Sequence, residues 1–245
     1  MTLPADTTPP DAEQPEPTRV REMFARVAPR YDLANRVMTL GQDRRWRKAI
    51  QEHAALPRDG RLLDLATGTG QIAFDALERC PSARIVAADL TSEMLDVARQ
   101  RPGADRIEWR QLDARELPFD DASFDAVTHG YLLRYLTDDF VGALREQWRV
   151  LAPGGRLVAL DSSPGKPGLV GRVAAGVTAY WPRLVGSVVA GNARDYEFLQ
   201  QSTLAFLTPE AVLGRLEEAG FVECGHRSYM QGMLTLFWAR KPLDA

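Results

Sequence analysis

Asp64-Leu65-Ala66-Thr67-Gly68-Thr69-Gly70 is the stretch whose reading decides the fold. It joins a buried apolar run, Arg61 to Ala66, to an amphipathic run, Gln71 to Glu78. Gly68 and Gly70 permit a tight turn and a close backbone approach to a ligand. A strand that turns through glycines into a helix opens a βαβ unit, and the same alternation continues downstream. Ala83 to Asp89, Ile107 to Leu112, Ser123 to Thr128 and Arg156 to Asp161 read as further strands, with helices over Ser92 to Gln100 and Asp139 to Leu151. Short apolar strands alternating with helices predict an α/β fold with a doubly wound, mostly parallel, Rossmann-like sheet and helices on both faces. In such a sheet the glycine turn lies at the carboxyl ends of the strands, where ligands bind at the topological switch point.

Outward from this core the pattern changes at both ends. Val20, Met23, Phe24 and Val27 recur at helical spacing until Pro29 stops them, and a second helical stretch runs from Leu33 to Ala55 with a break near Gly41. Residues 18–57 are therefore expected to form a helical cap. Residues 1–17 are rich in Pro, Thr, Asp and Glu and read as a disordered tail. After the fifth strand, Gly168 to Gly191 is Gly-, Val- and Ala-rich but interrupted by Arg172, Pro182 and Arg183, so residues 165–195 read as a helical insertion over the site rather than a spanning helix. Pro209 to Gly220 reads as a last helix with Thr208 as its N-cap. Val222 to Tyr229 and Met233 to Arg240 read as a closing strand pair, the closing strand antiparallel. Residues 18–245 are expected to be a single domain.

Composition narrows the partners. The 245 residues carry 30 basic and 33 acidic side chains, a net charge of −3, which gives no electrostatic footprint for nucleic acid. The two cysteines, Cys80 and Cys224, are far apart and in no CxxC arrangement, so no zinc site, no other metal and no disulfide framework is expected. The N-terminus has neither a secretory signal pattern nor early arginines. Together these point to a reducing, cytoplasmic setting.

Two acidic residues sharpen the ligand. Asp89 ends the second strand about 20 residues past the turn, where a carboxylate can accept from ribose hydroxyls. Asp113-Ala114 follows the third strand, where a carboxylate can accept from an exocyclic amine while a small neighbour flanks the ring. Each alone also serves as a strand-end cap or turn former; the three in register favour a nucleoside. The helix opens Gly70-Gln71-Ile72-Ala73 with no third glycine in the dinucleotide register, which disfavours pyrophosphate.

Asp64 to Gly70, Asp89-Leu90, Asp113-Ala114 and Arg149-Val150-Leu151-Ala152-Pro153-Gly154-Gly155 together resemble the class I methyltransferases. That resemblance implies S-adenosylmethionine as cofactor. Gly68, Thr69 and Gly70 would line its methionine part, Asp89 and Leu90 its ribose, and Asp113 and Ala114 its adenine, with Gly130 behind the fourth strand. The opening Met23-Phe24-Ala25-Arg26-Val27-Ala28-Pro29-Arg30-Tyr31-Asp32-Leu33-Ala34-Asn35-Arg36, followed by Leu40-Gly41-Gln42-Asp43-Arg44-Arg45-Trp46-Arg47, is similar to that of the quinone-biosynthesis C-methyltransferases, the menaquinone and ubiquinone C-methyltransferase (demethylmenaquinone methyltransferase) family. Leu117-Pro118-Phe119, Ser123-Phe124-Asp125 and Tyr196 to Ser202 extend the likeness over roughly residues 19 to 240.

The resemblance implies methyl transfer to the ring carbon of a lipophilic prenylated quinol, most simply demethylmenaquinol, or to another small aromatic acceptor. A non-catalytic cofactor-binding assembly partner is the reading from a different class. One departure bears on the acceptor. Where the family reads Gly-Leu-Arg-Asn, this chain reads Leu132-Leu133-Arg134-Tyr135. Arg134 is the expected orienting cation, since arginine stays charged and is a poor base. His129 is the titratable candidate for a general base, or else a packed histidine. Tyr135 is expected to stack on the acceptor, and Tyr31 to close over the cofactor. The Gly168 to Gly191 insert is where a prenyl tail would lie, touching a membrane surface peripherally or serving as a lid or homodimer contact.

Overall fold

The computed structural model describes residues 17–163 and 206–245. The tail expected over 1–17 lies outside these residues save for Pro17, which opens the first helix. The insertion expected over 165–195 and the Tyr196 to Ser202 stretch lie outside them too.

Seven strands form one sheet: β1 (Arg61–Leu65), β2 (Arg84–Asp89), β3 (Ile107–Gln111), β4 (Phe124–Gly130), β5 (Leu151–Ser162), β6 (Val222–Tyr229) and β7 (Leu234–Arg240), in the order β3-β2-β1-β4-β5-β7-β6. The pairs from β3 to β5 are parallel, while β7 runs antiparallel to both β5 and β6. The described helices are α1 (Pro17–Val27), α2 (Tyr31–Met38), α3 (Asp43–Ala54), α4 (Gln71–Arg79), α5 (Ser92–Arg99), α6 (Phe140–Val150) and α7 (Pro209–Glu218). The expected doubly wound α/β architecture is present, and its strand order reverses between β1 and β4.

Strand alternation sorts the core into two layers. Leu62, Ile85, Ala126 and Val158 point to one face and pack with Trp46 and Ile50 of α3 and with Ile72 and Ala76 of α4. Leu63, Leu65, Val127 and Leu157 point to the other, against Leu144 of α6 and Leu216 of α7. The expected break near Gly41 falls at residues 39–42. Leu40 and Gly41 take φ of 51° and 74°, and the Gly41 N–H returns to the Arg36 carbonyl at 2.9 Å, a left-handed helix stop. β5 starts earlier than its sequence suggests. Leu151 already pairs with Phe124, and the ladder resumes at Ala126 opposite Arg156, so Pro153-Gly154-Gly155 forms a bulge inside the strand rather than a turn before it.

Asp64 holds the switch point together. It is fully buried, and its two oxygens accept from the Thr67 hydroxyl at 2.5 Å and the Thr128 hydroxyl at 2.7 Å. One carboxyl thus ties β1, the glycine turn and β4. Burial pushes its pKa from 3.8 up to about 7, against the pull of the two hydroxyls. The folded chain keeps this proton at pH values where the unfolded chain loses it. Its contribution to stability is therefore full below pH about 4 and fades as pH rises through about 7. Asp64→Asn removes that titration, so the stability of wild type relative to the variant should fall between these pH values in urea denaturation. A constant difference would contradict the buried, protonated carboxyl.

Candidate active site

A cleft of about 830 Å³ opens at the carboxyl ends of β1 to β4. Its floor is Leu65, Ala66 and Gly68. Ala66 and Gly68 take φ of 46° and 55°, so the chain turns sharply away and leaves space above it. A Cβ at Gly68 would stand 3.7 Å from the Tyr31 ring, so Gly68 keeps the gap between floor and roof open. Thr69 and Gly70 do not line the cleft. The Thr69 hydroxyl turns to Asp32 of α2 at 2.5 Å, and a Cβ at Gly70 would meet Trp109 at 2.7 Å. Of the expected Gly68, Thr69 and Gly70, Gly68 alone lies on the cleft wall, and its neighbours support the turn.

Asp89 stands beside Gly68. Its Oδ2 accepts from the Gly68 N–H and its Oδ1 from the Thr91 N–H, each at 2.8 Å. Burial raises its pKa, and the N–H donors from Thr91 and Gly68 pull the other way. Each oxygen keeps acceptor capacity on the cleft side. Leu90, Thr91 and Met94 continue this wall. Asp113 follows β3 with Leu112 and Ala114 beside it. Arg115 braces it: its N–H reaches Asp113 Oδ1 at 2.9 Å and its guanidinium touches both carboxylate oxygens. The same guanidinium donates to the Tyr135 carbonyl at 2.8 Å and to Asp138 at 3.2 Å, so one arginine spans two sides of the cleft.

The opposite wall is Gly130, Tyr131, Leu132, Tyr135 and Leu136, and the roof is Phe24 and Tyr31 of the cap. Phe24 lies edge-on to Tyr31 at 6.0 Å and to Tyr135 at 6.2 Å, joining roof to wall. Burial raises the Tyr31 pKa to about 12 and raises that of Tyr131 as well, so both phenols stay neutral donors at physiological pH. The Tyr135 hydroxyl is buried, and its side chain lies against the Arg134 guanidinium.

Two expected catalytic residues sit elsewhere. His129 does not reach the cleft. It shares the face of β4 that packs on α6, is fully buried and meets the Gln147 side-chain oxygen at 3.2 Å. Burial lowers its pKa to about 4. The alternation of β4 sends His129 away from the site, which corrects the general-base reading. Arg134 lies one layer behind the wall rather than in it. Its guanidinium stands 5.3 Å from the Tyr131 ring and 5.1 Å from the Tyr135 ring, bonds the Ser162 hydroxyl and faces the buried Asp161 at 3.8 Å. Burial opposes its charge, but Tyr135, Asp161 and Tyr131 outweigh that and hold it firmly protonated.

Sequence reasoning missed Phe24, Met94, Arg115 and Tyr131. Tyr131 had a signal in its position, directly after Gly130 at the end of β4. Phe24 lies seven residues before Tyr31 in the same signature. Arg115 and Met94 carry none. Tyr131 also takes φ of 62°, unusual for a bulky residue and concentrated at functional sites.

The donor set suits a nucleoside carrying a cationic tail better than a pyrophosphate. Two carboxylates line the ridge, apolar Leu90, Leu112 and Met94 flank the space between them, and an aromatic ring closes over the glycine floor. The profile of the ubiE/COQ5 methyltransferase family matches residues 12–241. The chain belongs to that family. A demethylmenaquinone methyltransferase from Deinococcus radiodurans is 44% identical over 89% of this chain and 91% of its own length. A ubiquinone/menaquinone biosynthesis C-methyltransferase from Desulfotalea psychrophila is 40% identical over 91% of this chain and 90% of its own. Among solved structures, a phosphoethanolamine N-methyltransferase 2 from Haemonchus contortus, in complex with phosphomonomethylethanolamine and S-adenosylhomocysteine, has a similar fold. Its TM-score is 0.67 at 17% identity, covering 91% of this chain and 60% of that one.

For this ubiE/COQ5 family member, Asp89→Ala should weaken S-adenosylhomocysteine binding by about tenfold or more, the scale of hydrogen bonds to a charged group. Isothermal titration calorimetry reads this directly, and unchanged affinity would remove Asp89 from the ligand site.

Proposed function

We propose that this protein is an S-adenosylmethionine-dependent C-methyltransferase of quinone biosynthesis. Its acceptor is a prenylated quinol, demethylmenaquinol in the first instance, which becomes menaquinol. The observation that carries this reading is near-full-length membership of a family whose relatives bear those names. The cleft supports it with a glycine floor, two carboxylates and an aromatic acceptor wall. Residues 18–245 act as one domain in this reading, with 18–57 as the cap over the site.

Bound in the cleft, S-adenosylmethionine supplies a methyl group on a cationic sulfur. Asp89 accepts from the ribose hydroxyls and Asp113 from the adenine amine, while Leu90, Ala114 and Met94 flank the ring and Gly68, Gly130 and Tyr31 shape the space for the methionine end. The wall of Tyr131, Leu132 and Tyr135 holds the acceptor ring with its reacting carbon in line; such positioning is worth roughly 7–11 kcal/mol. Neutral phenols on this wall donate to the quinol oxygen as it becomes anionic. Arg134 acts from behind, fixing both tyrosine rings and lowering the energy of that negative charge. The ring carbon would take the methyl as the S–CH3 bond breaks, leaving the sulfur as a neutral thioether, and would then lose its own proton to solvent, since His129 is out of reach.

A second acceptor class has its own support. Leu132 and Tyr135 stand on the cleft wall where the family motif carries glycine and asparagine, so the space is narrower and more apolar. A small aromatic acceptor without a long tail is the runner-up.

Labelled S-adenosylmethionine offered with reduced demethylmenaquinone and a panel of phenols tests both readings. Label on the quinol ring carbon supports the first, and label on phenols alone supports the second. Turnover should rise with pH alongside quinol ionisation; a pH profile that stays put when the acceptor's own pKa is changed would contradict this reading. Arg134→Ala should lower kcat by about 100-fold while leaving cofactor affinity nearly unchanged. Equal losses in both would reduce Arg134 to a structural role.

A further inference from the structure

Charge is spread unevenly along this chain. Residues 17–54 hold nine basic and four acidic side chains, within a protein of net charge −3. Three of the acids are already engaged: Asp32 accepts from Thr69, Asp43 is paired with Arg47 and Glu52 with Lys48. Arg36, Arg44 and Arg45 are exposed, and no ion pair involves them among the described residues.

Helix α2 divides by face. Tyr31, Ala34, Asn35 and Met38 turn inward at helical spacing, with Tyr31 roofing the cleft. Leu33, Arg36 and Val37 share the outward stripe of α2 at i, i+3 and i+4. Leu33 is 57% exposed and Leu40 74%. Leu40 stands at the tip of the α2–α3 turn with φ of 51°, so a large apolar side chain is held in water by a backbone conformation that most residues avoid. Arg44 and Arg45 follow at the start of α3, directly beyond that tip.

We infer that this outer face of the cap docks on an anionic lipid bilayer, with Leu33 and Leu40 entering the acyl boundary and Arg36, Arg44 and Arg45 at the level of the lipid phosphates. Apolar anchors ringed by cations are what such a surface recognises. A second copy of the chain fits poorly: two protruding leucines fall far short of the roughly 800 Å² per partner of a stable interface. A twofold contact would also oppose arginines to arginines. The inference rests on the proposed prenylated acceptor, because a long-tailed quinol is held in the bilayer that this face of the cap would meet.

The test uses the full chain, the double variant Leu33→Gln/Leu40→Gln and the triple variant Arg36→Gln/Arg44→Gln/Arg45→Gln. Each is sedimented with vesicles of phosphatidylcholine alone and of phosphatidylcholine mixed with phosphatidylglycerol. Wild type should favour the anionic vesicles by about tenfold or more and release in high salt. Both variants should lose that binding and methylate vesicle-embedded long-tail demethylmenaquinol poorly, yet keep wild-type turnover on a short-tail quinol in solution. Equal binding of wild type to both vesicles, variants that bind like wild type, or losses that are equal on both quinols would each overturn the assignment. So would a wild-type dimer that the triple variant dissolves. If no quinol is methylated at all, the functional reading fails while vesicle sedimentation still decides the docking surface.

Discussion

A single buried carboxyl sets the geometry on which the cleft depends. Asp64 accepts from Thr67 on the glycine turn and Thr128 on β4, so the first strand of the sheet, the turn that makes the floor and the strand that leads into the opposite wall are tied at one point. A buried carboxyl without partners would cost several kcal/mol; with both hydroxyls donating, it becomes a three-way clamp. Asp89 repeats the device at the edge of the cleft by accepting the Gly68 and Thr91 N–H groups. The floor is therefore fixed before any ligand arrives, which lowers the ordering cost of binding.

The wall proposed to face the acceptor is organised by aromatic rings and one sequestered cation. Tyr131 and Tyr135 form its surface, and Arg134 lies behind both. The cleft thus offers neutral donors backed by positive charge rather than a base. That arrangement suits an acceptor able to develop its own negative charge, as a quinol does. Arg115 joins this wall to the Asp113 loop, so the two ends of the cleft are braced by a shared guanidinium.

Much of this was legible in the sequence because backbone requirements write themselves into residue types. Alternating apolar strands and helices specified the doubly wound sheet. The Gly68 turn, Asp89 and Asp113 lie at the strand ends where a nucleoside would meet them. Side-chain direction was less legible. His129 and Gly130 are adjacent in sequence, but strand alternation sends one toward α6 while the next lines the cleft. Thr69 sits inside the most informative motif and yet bonds the cap, a long-range pairing that no local pattern encodes. Arg149, read only as part of a family stretch, spans to the Leu117 and Phe119 carbonyls at 2.9 and 2.7 Å, so two separate motifs are one structural joint.

The Thr69–Asp32 hydrogen bond gives the cap a mechanical consequence. It runs from the glycine turn directly into α2, and Arg101 holds the same pair from outside by donating to the Thr69 carbonyl at 3.0 Å. Roof and floor are therefore not separate parts. Any displacement of α2 would pull on the turn beneath it, so the two cannot shift independently while this bond is made.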